Sequence, residues 1–162
     1  MKEIKLTQGQ VALVDDSLFD YLNQTKWYAE WRLDRKSYVA ARHSKTLFGK
    51  STKIYMHAII MHTPKGAQTD HRNHDTLDNR KQNLRICTNA QNQHNSGKHS
   101  DNTSGYKGVR KSGRKWRTEI RINGEYRYLG TFDTRELAAH AYDEAAKRLH
   151  GEYAILNFQK QK

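Results

Sequence analysis

Hydrophobic and polar positions alternate most clearly in the C-terminal third of the chain. Val109 to Lys111, Trp116 to Ile122 and Tyr126 to Leu129 read as three strands, separated by Ser112-Gly113 and Asn123-Gly124. Asn-Gly between alternating runs is a strong hairpin signal, because both residues accept the positive φ of a tight turn. The period of two places Trp116, Thr118, Ile120 and Ile122 on one face and Arg117, Glu119 and Arg121 on the other. The first face predicts core; the second is exposed and mostly cationic. Downstream, Leu137, Ala138, Ala141, Tyr142, Ala145 and Leu149 form one apolar stripe at helical spacing. Asp133-Thr134-Arg135-Glu136 predicts a capping box that opens this helix, and Gly151 its end. The alanines let the helix lie close to the sheet. The expectation is a three-stranded antiparallel sheet covered by one helix, its other face basic and bare.

The N-terminal pattern is more broken. Val11-Ala12-Leu13-Val14, Tyr38-Val39-Ala40 and Lys53-Ile54-Tyr55-Met56 predict short strands. The last runs into His57-Ala58-Ile59-Ile60-Met61, a short helix that stops before Pro64. Residues 70–83 are polar and loop-like, and Leu84-Arg85-Ile86-Cys87 is a brief extended run. Thr88 is then an N-cap for a short helix over residues 89–95. The order between residues 66 and 96 is strand, loop, strand, helix. From Ser96 to Ser104 no residue is apolar, which predicts a linker. No long internal repeat is present. The fold class is α+β, with domains at 1–96 and 104–160 joined by a linker at 97–103.

Charge adds a partner to this outline. The 162 residues hold 29 Lys+Arg against 17 Asp+Glu, a formal net charge of +12. Residues 104–127 alone carry 8 basic and 2 acidic side chains, half of the excess, interleaved with Tyr106, Trp116 and Tyr126. A charge run is commonly just a solvated face. Its coincidence with strands and aromatics favours nucleic-acid contact. The longest apolar run, Ala58 to Met61, is far too short for a membrane span, and the N-terminus has no secretory pattern. A single cysteine, Cys87, excludes an internal disulfide framework and a multi-cysteine zinc site. A cytoplasmic protein with no membrane partner and no obligate protein partner is expected, with a monomer favoured.

Candidate chemistry clusters between residues 70 and 92: Asp70-His71, then Leu77 to Arg85, then Asn92. Phosphodiester hydrolysis needs a base for the attacking water and a cation to offset charge on the leaving oxygen. Histidine, with an ordinary pKa near ~6.5, suits the base. A carboxylate and a carboxamide are hard oxygen ligands that suit Mg²⁺ and suit structural zinc poorly.

Asp70-His71, Asp78-Asn79-Arg80, Asn83-Leu84-Arg85 and Asn92 together resemble the HNH nucleases, specifically the homing endonucleases of phages and mobile introns. Met56 to Met61 and Leu6 to Asp15 are similar to that group too, so the resemblance covers most of residues 4–95. It implies a ββα-metal finger over residues 66–96, with His71 as general base. Asp70 and Asn92 would hold one divalent ion, Mg²⁺ or Mn²⁺, and Asn83 would fix the loop that orients His71. The products would carry a 5′-phosphate and a 3′-hydroxyl. Asn79 competes with Asn83 for the middle position of the motif, and Asn89 and Asn95 compete with Asn92. His57 and His62 read as structural or DNA-backbone residues, His74 as solvated or phosphate-contacting, and Cys87 as a buried thiol. Trp27, Tyr28 and Trp31 read as core of the N-terminal sheet, with stacking on bases the alternative, and Trp116 reads as core.

The second unit resembles the Apetala/ethylene-response-factor DNA-binding domain. The matching residues are Gly105 to Arg110, Trp116 with Glu119-Ile120-Arg121, Leu129 to Thr134, Ala138-Ala139, Ala141-Tyr142-Asp143, Ala145-Ala146 and Asn157-Phe158. The resemblance implies a sheet docked in the major groove of double-stranded DNA. Arg110, Arg121, Tyr126 and Tyr128 map onto contacting positions. Lys111, Arg114, Arg117 and Glu119 join them as candidates on the same segment. The first hairpin is one residue shorter than in the plant domain, and Tyr126 and Tyr128 replace its third-strand arginine and tryptophan. The plant target sequence is therefore not carried over. The function implied is a site-specific, metal-dependent DNA endonuclease that nicks. The alternatives are a DNA-binding regulator with a degenerate nuclease unit and, less well supported, an RNA-binding module.

Overall fold

Every sheet is built from consecutive strands paired antiparallel, as short connections dictate. The computed structural model describes residues 1–33, 35–45, 49–95, 98, 101–122 and 124–158. Ser96, Gly97, His99 and Ser100 of the expected linker lie outside the described residues, as do Asn123 of the hairpin and residues 159–160. The chain divides into two compact units, Met1–Thr88 and Asn89–Lys162, each mixing small sheets with few helices. No helix among the described residues is long and apolar enough to cross a membrane.

In the first unit, β1 (Lys2–Lys5) pairs with β2 (Val11–Val14), and α1 (Asp16–Asn23) follows. Next come β3 (Tyr28–Arg32), β4 (Ser37–Lys45) and β5 (Ser51–Tyr55), in spatial order β3-β4-β5. The short helix α2 (Met56–Ile60) leads to the hairpin of β6 (Gln68–His71) and β7 (Leu84–Cys87). Ile4, Val14, Leu22, Trp27, Met56 and Leu84 share one core, to which no element gives more than two buried apolar side chains. The pattern hides β1, α1 and β3 for that reason: in β1 only Ile4 is buried, and in α1 only Leu22. Met56, expected at a strand end, opens α2 instead. Trp27 is core, its Nε1 donating to the Leu22 carbonyl at 2.8 Å to close the end of α1. Trp31 is not core. It is 46 % exposed and packs edge-on against Tyr38 across the strand pair, ring centroids 4.9 Å apart. Its strand partner is Tyr38.

The second unit opens with α3 (Asn89–His94) and continues with β8 (Val109–Ser112), β9 (Lys115–Ile122) and β10 (Glu125–Phe132), ordered β10-β9-β8. The sheet packs against α4 (Arg135–His150) through two clusters, around Ile120 with Tyr142 and around Val109 with Ala138 and Ala139. Two expectations need correction. The N-cap of α4 is Thr134, whose hydroxyl accepts from Leu137 N at 3.2 Å, while Asp133 pairs with Lys115 at 3.0 Å. The buried stripe is also rotated: Leu137 is 54 % and Leu149 38 % exposed, while Ala139 and Ala146 are fully buried. Close approach of helix to sheet selects small side chains over large ones, and Thr118 Oγ1 reaches the Ala138 carbonyl at 2.9 Å across that contact.

A buried polar clasp closes this unit. Asp143 accepts from Asn157 N at 2.8 Å and Phe158 N at 2.9 Å, and Asn157 in turn accepts from Lys107 N at 2.7 Å. The tail is thereby tied to the segment that precedes β8. There the backbone of Gly108 has φ +74°, and a Cβ would lie 2.1 Å from the Tyr142 ring. Gly108→Ala is therefore expected to destabilise the unit by about 3 kcal/mol or more, from strain and overlap together. Gly113→Ala, at φ +59° but in open space, is expected to cost only about 1 kcal/mol. Denaturant unfolding midpoints of the two variants check the ranking.

Candidate nuclease centre and nucleic-acid interface

The segment joining β6 to β7 contradicts its polar composition, which reads as a solvated loop. Thr76, Asp78, Asn79 and Asn83 are all buried. Buried polar groups must be hydrogen-bonded, and this segment is organised around that demand. Asn83 closes it from both ends: its Nδ2 donates to the Asp78 carbonyl at 2.8 Å, and its Oδ1 accepts from Asn73 N at 3.0 Å. Its own carbonyl accepts from Arg72 N at 2.8 Å. The Asp78 carboxylate takes Arg80 Nη2 at 2.7 Å and Asn73 Nδ2 at 3.0 Å. Arg80 holds the Asp78 carboxyl below the usual carboxylate range. On the far side, Leu13 of β2 donates to the Leu77 carbonyl and accepts from Asn79 N, at 2.9 and 2.8 Å. The loop is thus stitched into the core sheet.

This frame delivers Asp70 and His71 at the end of β6, registered opposite Arg85 and Leu84. Neighbours on a strand point to opposite faces. On one face, Arg85 Nε and Nη2 donate to Asp70 Oδ2 at 2.8 and 2.7 Å, with both residues buried. On the other, the His71 ring meets His57 edge-on, centroids 5.2 Å apart at 87°. His57 lies parallel to Tyr55 at 5.5 Å, and Arg32 Nη1 donates to the Tyr55 hydroxyl at 3.2 Å. Burial pushes the His71 pKa down. The Asn79 carboxamide and the Asp70 charge oppose that effect, and the Arg35 charge adds to it. The balance keeps the imidazole neutral at neutral pH, the form a base requires. His57 is pushed down to about 3, first by burial and then by the nearby His71 and Arg35 charges.

Of the two asparagines that compete in sequence, Asn83 braces the loop, and Asn79, whose Nδ2 donates to the Leu77 carbonyl at 3.1 Å, opposes the downward push of burial on the His71 pKa. Sequence reasoning missed two neighbours. Arg85 stands directly across a two-stranded pairing from Asp70, a register that the spacing of the two strands could have suggested. His57 carries no such signal, since it is masked by the apolar run that follows it. Cys87 is a buried thiol whose pKa burial raises, as expected.

Asn92 lies on α3, in the second unit, and is buried together with Asn95, while Asn89 is exposed. Among the described residues no three His, Cys, Asp or Glu side chains group as ligands. The donors proposed by sequence are one carboxylate and one carboxamide oxygen, a hard set that fits Mg²⁺ or Mn²⁺. Arg85 orients the Asp70 carboxylate through Oδ2. By donor type these residues suit a divalent ion.

The sheet of the second unit presents a cationic face. Cross-strand register sets Arg110 opposite Arg117, Glu119 opposite Tyr128 and Arg121 opposite Tyr126, so the six share one side. Glu119 binds both Arg110, at 2.9 Å, and Arg117. Arg117 lies over the Tyr128 ring at 4.9 Å, and Arg121 over Tyr126 at 5.7 Å. Tyr126 and Tyr128 are largely exposed. Arg114 is exposed in the β8–β9 turn. Lys111 differs: it is registered opposite Trp116, on the side that faces α4.

The neutral His57 has a consequence for stability. Its folded-state pKa of about 3 lies below the ordinary 6.5. Between these values the unfolded chain binds the extra proton, so stability falls as pH drops below about 6.5, by up to about 1.4 kcal/mol per pH unit for one such group. The Tm of the wild type is expected to fall more steeply than that of His57→Phe between about pH 7 and pH 5. Parallel Tm–pH curves for the two proteins would remove His57 as the cause.

Comparison with known proteins places both units. The HNH endonuclease family model matches residues 57–94, and the AP2 domain model matches residues 104–152. An uncharacterized HNH endonuclease of Acanthamoeba polyphaga mimivirus is 30 % identical over 151 residues, covering 93 % of this chain and 76 % of that protein. An ethylene-responsive transcription factor of Arabidopsis thaliana is 55 % identical over 60 residues, 35 % of this chain and 23 % of its own. Dehydration-responsive element-binding protein 2D of the same plant is 53 % identical over 55 residues, 32 % of this chain and 27 % of its own. The chain spans only about a quarter of these plant proteins, and the similarity to them is confined to the C-terminal part. With a relative matched over most of both chains, this protein belongs to the HNH endonuclease family and carries an AP2 domain at its C-terminal end.

Proposed function

We propose that this protein is a site-specific, divalent-metal-dependent DNA endonuclease of the homing type that nicks one strand of a duplex. The observation that carries this reading is the pairing of a neutral, buried His71 with an Arg85-oriented Asp70 on one strand end, braced by Asn83. In this reading the HNH unit is residues 1–96, with a ββα-metal arrangement over residues 66–96. A linker at 97–103 leads to an AP2 unit at 104–160, and the protein acts as a monomer in the cytoplasm.

His71 accepts the proton of the attacking water. Asn79 supports the imidazolium that forms, and Asn83 keeps the loop from shifting as it does. Asp70 and Asn92 would hold one Mg²⁺ or Mn²⁺, which would offset charge on the leaving 3′-oxygen. Arg85 fixes the Asp70 carboxylate, so its ligand oxygen needs no reorganisation. The AP2 sheet supplies affinity and part of the specificity, with Arg110, Arg117, Arg121, Tyr126 and Tyr128 toward the major groove and Arg114 at its edge. Glu119 holds Arg110 and Arg117 apart and aimed. A DNA-binding regulator with an inactive nuclease unit is the competing reading. The coherent support around His71 favours the enzyme, since a binder has no use for it.

Supercoiled plasmid carrying a candidate target is the test substrate. Nicking by wild type with Mg²⁺, its loss with EDTA and its loss in His71→Ala are the expected results. DNA binding without nicking by both proteins would establish the regulator. On the AP2 face, Arg110→Ala or Arg121→Ala is expected to weaken target binding by ~1–3 kcal/mol if the arginine reads a base. Undiminished affinity in a gel shift would defeat docking of the sheet.

A further inference from the structure

The turn between β3 and β4 is tied to the nuclease centre from both sides. On the incoming strand, Arg32 donates to the Tyr55 hydroxyl, Tyr55 stacks on His57, and His57 abuts His71. On the outgoing strand, the Tyr38 carbonyl accepts from Thr76 Oγ1, within the buried loop that follows His71. The turn itself is closed by Arg35 N donating to the Arg32 carbonyl at 3.3 Å. These anchors hold the two flanking residues, Arg32 and Tyr38, beside the centre. Arg35 is exposed there, between the two anchored strands. Its charge is felt at His57, at His71 and at Cys87, three groups on three different elements around the centre.

We propose that Arg35 is a DNA-phosphate contact of the nuclease centre, placing its guanidinium on a non-bridging oxygen of the scissile phosphate or its immediate neighbour. This proposal deepens the nuclease reading and rests on it. With its flanking strands tied to Tyr55 and to the loop after His71, an exposed guanidinium on this turn can reach the phosphate that the base's water attacks. Hydrolysis adds negative charge to the phosphate oxygens, and a guanidinium binds them through two parallel N–H donors. Arg35 complements the Asp70–Arg85 pair: the buried arginine fixes a carboxylate of the protein, and the exposed one meets the substrate.

The experiment uses the full chain and a duplex target, with Arg35→Ala, Arg35→Lys and His71→Ala beside the wild type. Binding is measured without divalent metal across a range of salt, and nicking is measured with Mg²⁺. Arg35→Ala should lower the slope of log K against log salt by about 1, one phosphate contact. Its nicking rate should fall about 10- to 100-fold, and Arg35→Lys should restore the slope and part of the rate. A wild-type slope and rate in Arg35→Ala would overturn the proposal, as would a lysine variant that restores nothing although its Tm is unchanged. Full nicking by His71→Ala would instead overturn the nuclease assignment to this centre, and the salt slope would still decide whether Arg35 touches DNA.

Discussion

The first unit depends on a loop that is polar in composition yet excluded from water. Desolvated amides and carboxylates cost free energy unless each finds a partner, so the segment between β6 and β7 can exist only in a conformation that satisfies them together. Asn83, Asp78 and Asn73 supply those partners, and Leu13 locks the result to the core sheet. A solvated loop of the same length would sample many shapes. This one is held to the shape that sets the His71 ring against Asn79 and His57. Rigidity at the reacting group comes from hydrogen-bond accounting more than from apolar packing, which in this unit is thin.

The two units show opposite uses of charge. Around His71 the carboxylates are buried and held by arginines, Asp70 by Arg85 and Asp78 by Arg80, so they act as struts. On the AP2 sheet one carboxylate, Glu119, serves two arginines, and two tyrosine faces underlie two of the cations. The guanidiniums there stay outward and only partly neutralised. Such an array is ordered before DNA arrives, which reduces the entropy lost on binding.

The sequence discloses the AP2 unit well because its signal is periodic: alternating strands, Gly turns and a helix of small residues agree with one another. Only details slipped, such as the N-cap at Thr134 in place of Asp133 and the rotation of the helix that leaves Leu137 and Leu149 outside. The HNH unit was legible as a motif and scarcely as a fold. Its strands share no burial pattern: β1 buries one side chain, β4 three in succession and β5 none, so no common period emerges, and its loop is buried against its composition. The environment of His71 was hidden for a related reason. His57, Tyr55 and Arg35 come from parts of the chain that only the tertiary structure gathers.

The Asp143–Asn157 clasp bears on how the protein is made. It joins the approach to β8 with a residue near the C-terminus, and every strand and helix of the AP2 unit lies between them. A chain emerging from the ribosome can complete the HNH sheets well before Asn157 is available, and only then can the AP2 unit lock. During synthesis the nuclease-type unit thus exists for a time without its finished reader. Any truncation upstream of Asn157 makes that transient state permanent.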